Sequence, residues 1–202
     1  MKFKKNKYLV IKKAVSKELA NFLFNYTILK KNVYKKLIND RYLSPYTKLY
    51  GQLNDAQVPN TYSHYADTAM EVLLAVMREK MEKATNLNLI ETYSFFRVYK
   101  KGDVLERHVD RKSCAVSTTI NLGGDPWPIY VDPTGKTGQA GMEINLDQGD
   151  MLVYSGCEVE HWREEFEGEL CSQVFLHYNL DNEKAAQYDG RPFLGLPGEY
   201  KK

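Results

Sequence analysis

No run of apolar residues in this chain is long enough to span a bilayer. Neither sign of charge is in surplus. The 28 Lys and Arg against 26 Asp and Glu leave a formal net charge of +2, too little to draw the chain onto nucleic acid or an anionic surface. Cysteine is scarce: Cys114, Cys157 and Cys171 cannot all pair and show no C-x-x-C spacing, which excludes a disulfide framework and a zinc-finger type of site. The basic N-terminus, MKFKKNKYLVIKK, holds only Tyr8 to Ile11 as an apolar stretch, too short for a signal peptide. These absences predict a reduced, cytoplasmic protein with no membrane partner. Present instead are 202 residues at 43% hydrophobic content, which suit a single domain over residues 1–202 with a sizeable core. The 15 tyrosines favour strands and aromatic contact surfaces.

The pattern along the chain changes once. Residues 8 to 11 read as a short strand, and Ser16 as the N-cap of a helix with Leu19, Ala20, Leu23 and Tyr26 on one stripe. Residues 28 to 64 are rich in Lys, Asn and Tyr, are broken by Pro45, Gly51 and Pro59, and predict loops and short helical turns. A helix follows, with Thr68 and Glu71 as a capping box and Met70, Leu73, Leu74, Met77 and Met81 as its apolar face. From residue 90, β-type runs succeed one another: ETYSFFRVY, AVSTTINL, WPIYV, MEINL, MLVYS and SQVFLHYNL, parted by KKGD, GGDP, DPTGKTGQAG, DQGD and SGC. That spacing predicts an α+β chain: a helical part over about 12–88, a double-sheet antiparallel barrel over about 90–182, and a C-terminal tail.

The chain has only four histidines, and one stands in ERHVDRKSC, two residues before an aspartate. In a strand, His108 and Asp110 would face the same side. His161, at the end of MLVYSGCEVEHW, could join them across the sheets. Two imidazoles and a carboxylate with open coordination positions are the ligand set of a non-haem Fe(II) oxygenase. The bland reading is a surface H-x-D pair and a hydrogen-bonded histidine at a strand end. From Phe96 to Asn179 the chain resembles the 2-oxoglutarate-dependent Fe(II) oxygenases of the double-stranded β-helix (jelly-roll) fold, and more closely their prolyl-hydroxylase-like branch. The matching stretches are RVYKKGDVLERHVDR, TTINLGGDPWPIYV, the G-D-x-L-x-Y strand into GCEVEHWRE, and QVFLHYN. The tail DGRPFLG also looks like the end of uncharacterised bacterial and viral members. The resemblance implies a jelly-roll core with supporting N-terminal helices. It implies Fe(II) held by His108, Asp110 and His161, 2-oxoglutarate as cosubstrate, and ascorbate as an accessory reductant.

2-Oxoglutarate is a dianion, and its distal carboxylate needs a buried cation. In most of the resembled family a basic residue sits about nine or ten positions after the distal histidine. Here Leu170 and Cys171 stand there, a departure from the pattern. Arg163, two past His161, would share the iron-facing side of a strand and is the favoured substitute. A surface arginine paired with Glu160, Glu164 or Glu165 is the plainer reading. Arg97 shares the face of Tyr99, whereas Arg107 should point away from His108. Tyr99 matches a family position whose hydroxyl helps bind the cosubstrate. Asn121 is a further cosubstrate candidate, on the polar face Ser117, Thr119, Asn121 of AVSTTINL.

Three functions fit these residues. The first is a dioxygenase hydroxylating a C–H bond of a small molecule or a protein residue, prolyl among others, with release of succinate and carbon dioxide. The second is a cupin-like module that binds a metal or small acid without turnover, which the missing basic residue would suit. The third, a nucleic-acid dealkylase, is disfavoured by the small net charge and a last strand without arginine. Substrate selection would fall to residues 40 to 64, the 132 to 141 turn and the tail.

Overall fold

The computed structural model of the chain describes residues 2–44, 46–136 and 138–200. Helices come first: α1 (Lys2–Asn6), then α2 (Lys17–Asn39) after β1 (Tyr8–Ile11), then α3 (Thr68–Thr85) after β2 (Tyr62–Tyr65). The strands that follow are β3 (Leu89–Lys100), β4 (Leu105–His108), β5 (Val116–Gly124), β6 (Ile129–Asp132), β7 (Met142–Ile144), β8 (Met151–Tyr154), β9 (Glu160–Arg163) and β10 (Leu170–Leu180). Among the described residues they form two antiparallel sheets. The larger has the order β1-β8-β5-β10-β3-β2 and the smaller β4-β9-β6-β7. From β3 onward the chain passes to and fro between them.

Alternation along the long strands gives the larger sheet two different faces. Phe96 and Val98 of β3, Val116, Ile120 and Leu122 of β5, and Val174, Leu176 and Tyr178 of β10 pack under the helices with Ala20, Leu23, Met70, Leu74, Met77 and Met81. The intervening residues point to the other side, toward the smaller sheet. They are Tyr93, Phe95, Arg97 and Tyr99 of β3, Ser117, Thr119 and Asn121 of β5, and Cys171, Gln173, Phe175 and His177 of β10. The registers Ser117 with His177 and Phe95 with Phe175 set these side chains beside one another.

The helical half departs from the sequence reading in three places. Helix α2 runs on to Asn39 instead of breaking near residue 28. No Gly or Pro interrupts it, Thr27 and Tyr34 are buried, and its lysines lie mainly on the outer face. Pro45 lies outside the described residues, while Gly51 and Pro59 do fall in an irregular stretch. The cap of α3 is Asp67, not Thr68. Its carboxylate accepts from the Ala69 and Met70 N–H groups at 3.0 and 3.4 Å. Glu71 therefore makes no capping box and is drawn inward. Ser16 does cap α2, accepting from the Leu19 N–H at 3.2 Å, but Leu19 itself is turned to solvent.

Candidate functional site

His108 ends β4 and His161 lies in β9, and the two are direct cross-strand partners, with ring centroids 4.2 Å apart. Asp110 lies past the end of β4, so the strand argument for its orientation does not apply. A turn carries it back: its N–H donates to the Gly156 carbonyl at 2.8 Å. Gly156 has to be glycine for this, since a Cβ there would stand 2.7 Å from Asp110 Oδ2 and 2.2 Å from the Cys114 carbonyl. Asp110 Oδ2 accepts from the Ser117 hydroxyl at 2.7 Å. Its other oxygen, Oδ1, lies 3.6 Å from His161 Nε2 and 3.8 Å from His108 Nε2.

Both imidazoles are oriented in the same way. Each uses Nδ1–H to reach the carbonyl two residues back, His108 to Glu106 at 2.7 Å and His161 to Val159 at 3.0 Å. That fixes the tautomer and makes both Nε2 atoms the lone-pair-bearing nitrogens, able to serve as ligands. One potential ligand atom from each of the three residues lies within 4.8 Å of the other two. This is the donor set that suits a divalent first-row metal with open positions, so the residues fit the group. Burial pushes His161 down to about 4, so it is neutral near pH 7. The Gln57 amide donates to His108 Nε2 at 2.7 Å, and the Tyr154 hydroxyl lies 3.4 Å from His161 Nε2.

A cavity of about 380 Å³ opens on this trio. Its wall is aromatic, with Tyr65, Tyr93, Phe95 and Phe175, and it carries two guanidinium groups, Arg97 and Arg111. Each guanidinium is paired: Arg97 with Asp55 at 2.8 Å, and Arg111 with both oxygens of Asp189 at 2.8 Å. Arg97 also donates to Gln57 at 3.2 Å and to the Tyr99 hydroxyl at 3.2 Å. Asp55 and Gln57 show that part of the irregular 40–61 stretch folds over the site.

Arg163 follows His161 by two residues on the same face of β9 and is fully buried. It is not paired with Glu160, Glu164 or Glu165. Its Nη1 donates to the Trp127 carbonyl, and its guanidinium lies over the Trp127 ring at 4.9 Å. Among the described residues Nε and Nη2 have no partner. Tyr99, Cys171 and Tyr154 act on it electrostatically, and burial lowers its pKa. Arg163 does not line the cavity but lies deeper, where Tyr99 packs edge-on to Trp127 at 4.7 Å. Asn121 does not line the cavity at the three candidate ligands either. Its amide donates to the Leu146 carbonyl at 2.8 Å, its oxygen accepts from the Gly123 N–H at 3.0 Å, and it borders a separate cavity. Arg107 points away, as expected, to Glu160 and Asp132. Trp162 stacks on Tyr130 at 5.6 Å, under Arg107, and does not wall the site.

Two further features complete the surroundings of the site. His177 is buried beside Asp110: its Nδ1 lies 2.9 Å from Ser117 Oγ, and its ring lies 4.4 Å from that of Tyr93. Together with Cys114 it forms a second cluster around Asp110. Burial pushes the Cys114 thiol up to about 12, and Ser117 stands between Asp110 and His177, so this cluster is hydrogen-bonded as it is. The other feature is the tail. Asp189 holds Arg111 and Tyr65, while buried Arg191 holds Glu71 at 3.0 Å and the Thr92 and Leu196 carbonyls. The string DGRPFLG is therefore a clamp, and its Gly195 N–H also donates to Glu71.

No family model matches the chain, and no curated protein matches it in sequence. Solved structures do match in shape. A prolyl-4-hydroxylase of Pseudomonas putida aligns over 87% of this chain and 94% of its own, with a TM-score of 0.56 and 16% identity. A Trichoplax adhaerens prolyl hydroxylase in complex with a hypoxia-inducible-factor peptide aligns over 91% and 88%, with a TM-score of 0.59 and 14% identity. HygX of Streptomyces hygroscopicus, with nickel, 2-oxoglutarate and hygromycin B bound, aligns over 89% and 85%, with a TM-score of 0.59 and 14% identity. The chain has the fold of the 2-oxoglutarate/Fe(II) oxygenases. Prolyl hydroxylases are among its structural neighbours, and at these identities the likeness carries the fold alone. Among the described residues no helix is long and apolar enough to cross a membrane.

Proposed function

We propose that this chain is an Fe(II)- and 2-oxoglutarate-dependent dioxygenase that hydroxylates a C–H bond, acting as one domain. The observation that carries the reading is the convergence of two tautomer-fixed Nε2 atoms and Asp110 Oδ1, with a buried, half-unpaired arginine two residues along the same strand face. The sheet orders β8-β5-β10-β3 and β4-β9-β6-β7 support a double-stranded β-helix, in which strands from β3 onward alternate between sheets except at the β6–β7 pair. The neighbours bound to nickel and 2-oxoglutarate support the same cofactor pair.

His108, Asp110 and His161 would hold the metal, with Ser117 steadying Asp110 and the Glu106 and Val159 carbonyls steadying the imidazoles. When bound, the iron would supply oxidative decarboxylation of 2-oxoglutarate by dioxygen, one oxygen atom going to succinate as carbon dioxide leaves and the other to the substrate hydroxyl. Arg163 would take the distal carboxylate, since its Nε and Nη2 offer the adjacent donors that a carboxylate accepts. Tyr99 sits beside it as a further donor. The aromatic wall would exclude water and hold the substrate, a protein residue or a small molecule. Nothing favours a module without turnover.

The test is succinate formation from 2-oxoglutarate with Fe(II) and ascorbate, run beside calorimetric titration with Mn(II). The wild type should bind Mn(II) and release succinate slowly even without substrate. Asp110→Ala should lose Mn(II) affinity and succinate release together. Full Mn(II) affinity in Asp110→Ala refutes the ligand set, and no 2-oxoglutarate binding by the metal-loaded wild type refutes the oxygenase reading.

A further inference from the structure

His177 belongs to no part of the machinery described so far, yet it lies in the wall of the same cavity as His108, Asp110 and His161. A ring nitrogen of it lies within 4.8 Å of an Asp110 carboxylate oxygen. Its proton can be placed by elimination. Ser117 has one hydroxyl hydrogen, and two of its neighbours, Asp110 Oδ2 at 2.7 Å and the Cys114 carbonyl at 3.3 Å, can only accept. The hydroxyl hydrogen therefore goes to one of these acceptors. The third neighbour, His177 Nδ1 at 2.9 Å, must then be the donor. A hydrogen bond thus runs from His177 Nδ1–H to Ser117 and on to the carboxylate. In a neutral imidazole one ring nitrogen donates and the other accepts, and here Nδ1 is the donor. Its Nε2 is then a bare lone pair. Among the described residues nothing donates to that atom, although it is the acceptor end of a nine-tenths-buried side chain in the cavity wall.

The charges beside it are already balanced. Arg97 carries Asp55 and Arg111 carries Asp189, each at 2.8 Å. Resting on the dioxygenase reading above, we infer that His177 is a substrate-binding residue whose Nε2 accepts a hydrogen bond from an N–H or O–H of the group to be oxidised. We infer also that this group is uncharged and donor-bearing, lying against Tyr65, Tyr93 and Phe95. A prolyl ring within a peptide has no N–H to offer this atom. The geometry therefore favours a secondary amide, a lactam or a hydroxyl-bearing ring over peptidyl proline.

Zn(II)-loaded protein with ring-labelled histidine tests this by long-range proton–nitrogen correlation, the four histidines being assigned by single substitutions. His177 should show the Nδ1–H tautomer. Two uncharged probes that differ by one hydrogen, 2-pyrrolidinone and N-methyl-2-pyrrolidinone, are then titrated. The N–H probe should shift the Nε2 resonance and bind roughly tenfold more tightly than its methylated twin. His177→Phe should abolish that preference. His177→Gln, which can donate to Ser117 with its amide and accept with its oxygen, should restore part of it. An Nε2–H tautomer, equal binding of the two probes, binding of neither, or a preference that survives His177→Phe overturns the assignment. Binding of Zn(II) and 2-oxoglutarate, followed in the same samples, reports on the dioxygenase reading separately.

Discussion

Replacing Arg163 with methionine should strengthen the ligand-free protein and disable it toward 2-oxoglutarate. The guanidinium is buried, with Nε and Nη2 unpartnered and one bond to the Trp127 carbonyl. A buried charged donor without an acceptor costs more than the 1–3 kcal/mol typical of a neutral group, so the resting protein holds Arg163 at a loss. Methionine fills most of the same volume and removes that loss. By analogy with buried ionic groups replaced by apolar residues, Arg163→Met should gain up to about 1–4 kcal/mol in urea denaturation without ligand. The cosubstrate reverses the comparison. A carboxylate that meets both free donors makes a charge-assisted contact whose removal costs about 2–5 kcal/mol, or roughly thirtyfold to several thousandfold in Kd.

The two effects have opposite signs, which separates an anchor from a packing residue. At 2-oxoglutarate a hundred times its Kd, wild-type protein loaded with Mn(II) gains about 2.7 kcal/mol, and Arg163→Met gains less than about 1 kcal/mol at the same concentration. Mn(II) affinity should hardly change. Arg97→Ala is the matched control: Arg97 lines the cavity but is already engaged by Asp55, Gln57 and Tyr99, so it should weaken 2-oxoglutarate less. If Arg163→Met is less stable than wild type and still binds 2-oxoglutarate with unchanged affinity, the reasoning is wrong on both counts.

Metal-free protein should lose stability as pH falls from about 6.5 toward 4. His161 and His177 are both pushed down to about 4 by burial, so unfolding at intermediate pH takes up protons that the native state excludes. The slope near pH 5 should be roughly 1.4–2.7 kcal/mol per pH unit, and His177→Gln should lower it by about one proton's worth; a flat profile in urea titrations contradicts this. Cys114 and Cys171 are buried thiols and Cys157 is free, so dithiothreitol should leave the Tm unchanged in a thermal scan. Arg191→Ala should cost about 3–5 kcal/mol, because it strands Glu71 without its buried partner, and a loss below about 1 kcal/mol would show the tail clamp to be dispensable.

What could be read from the sequence followed periodicity. The runs from ETYSFFRVY to SQVFLHYNL became strands because alternate residues had a core on one side and the smaller sheet on the other. Met70, Leu73, Leu74, Met77 and Met81 became a buried helix face for the corresponding reason at helical spacing. His108 and His161 were visible as types and order, and their cross-strand pairing placed them. Asp110 arrived by another route than the one expected: a turn locked by Gly156, not strand alternation, brings its carboxylate inward. Lysine and asparagine between residues 28 and 39 masked a helix because their composition resembles loop, although Thr27 and Tyr34 mark its buried side. Asn121 stands outside the lining of the cavity, because a polar strand face does not reveal where along its length the cavity ends. Ser117 reaches Asp110, while Asn121, two pairs further along, meets Gln173 and the backbone.

The tail shows how distant sequence reaches the site through charge. Asp189 grips Arg111 with both oxygens, Arg111 lies over the Tyr93 ring at 4.5 Å, and Arg111 is the residue after Asp110. Tyr93 in turn carries His177 on its face, and its hydroxyl meets Cys114 at 3.1 Å. Placement of the Asp110 carboxylate is therefore coupled to a segment almost eighty positions away, through two rings and an ion pair. Such coupling has a physical use. A carboxylate in a turn lacks the regular hydrogen-bond ladder that holds a strand residue, so its orientation must come from packing and from neighbours that are themselves fixed. Arg191 supplies that fixity one step further out, joining the tail to Glu71 of α3 and to β3 through the Thr92 carbonyl. The helices thus hold the tail, the tail holds Arg111, and Arg111 holds the turn that presents Asp110.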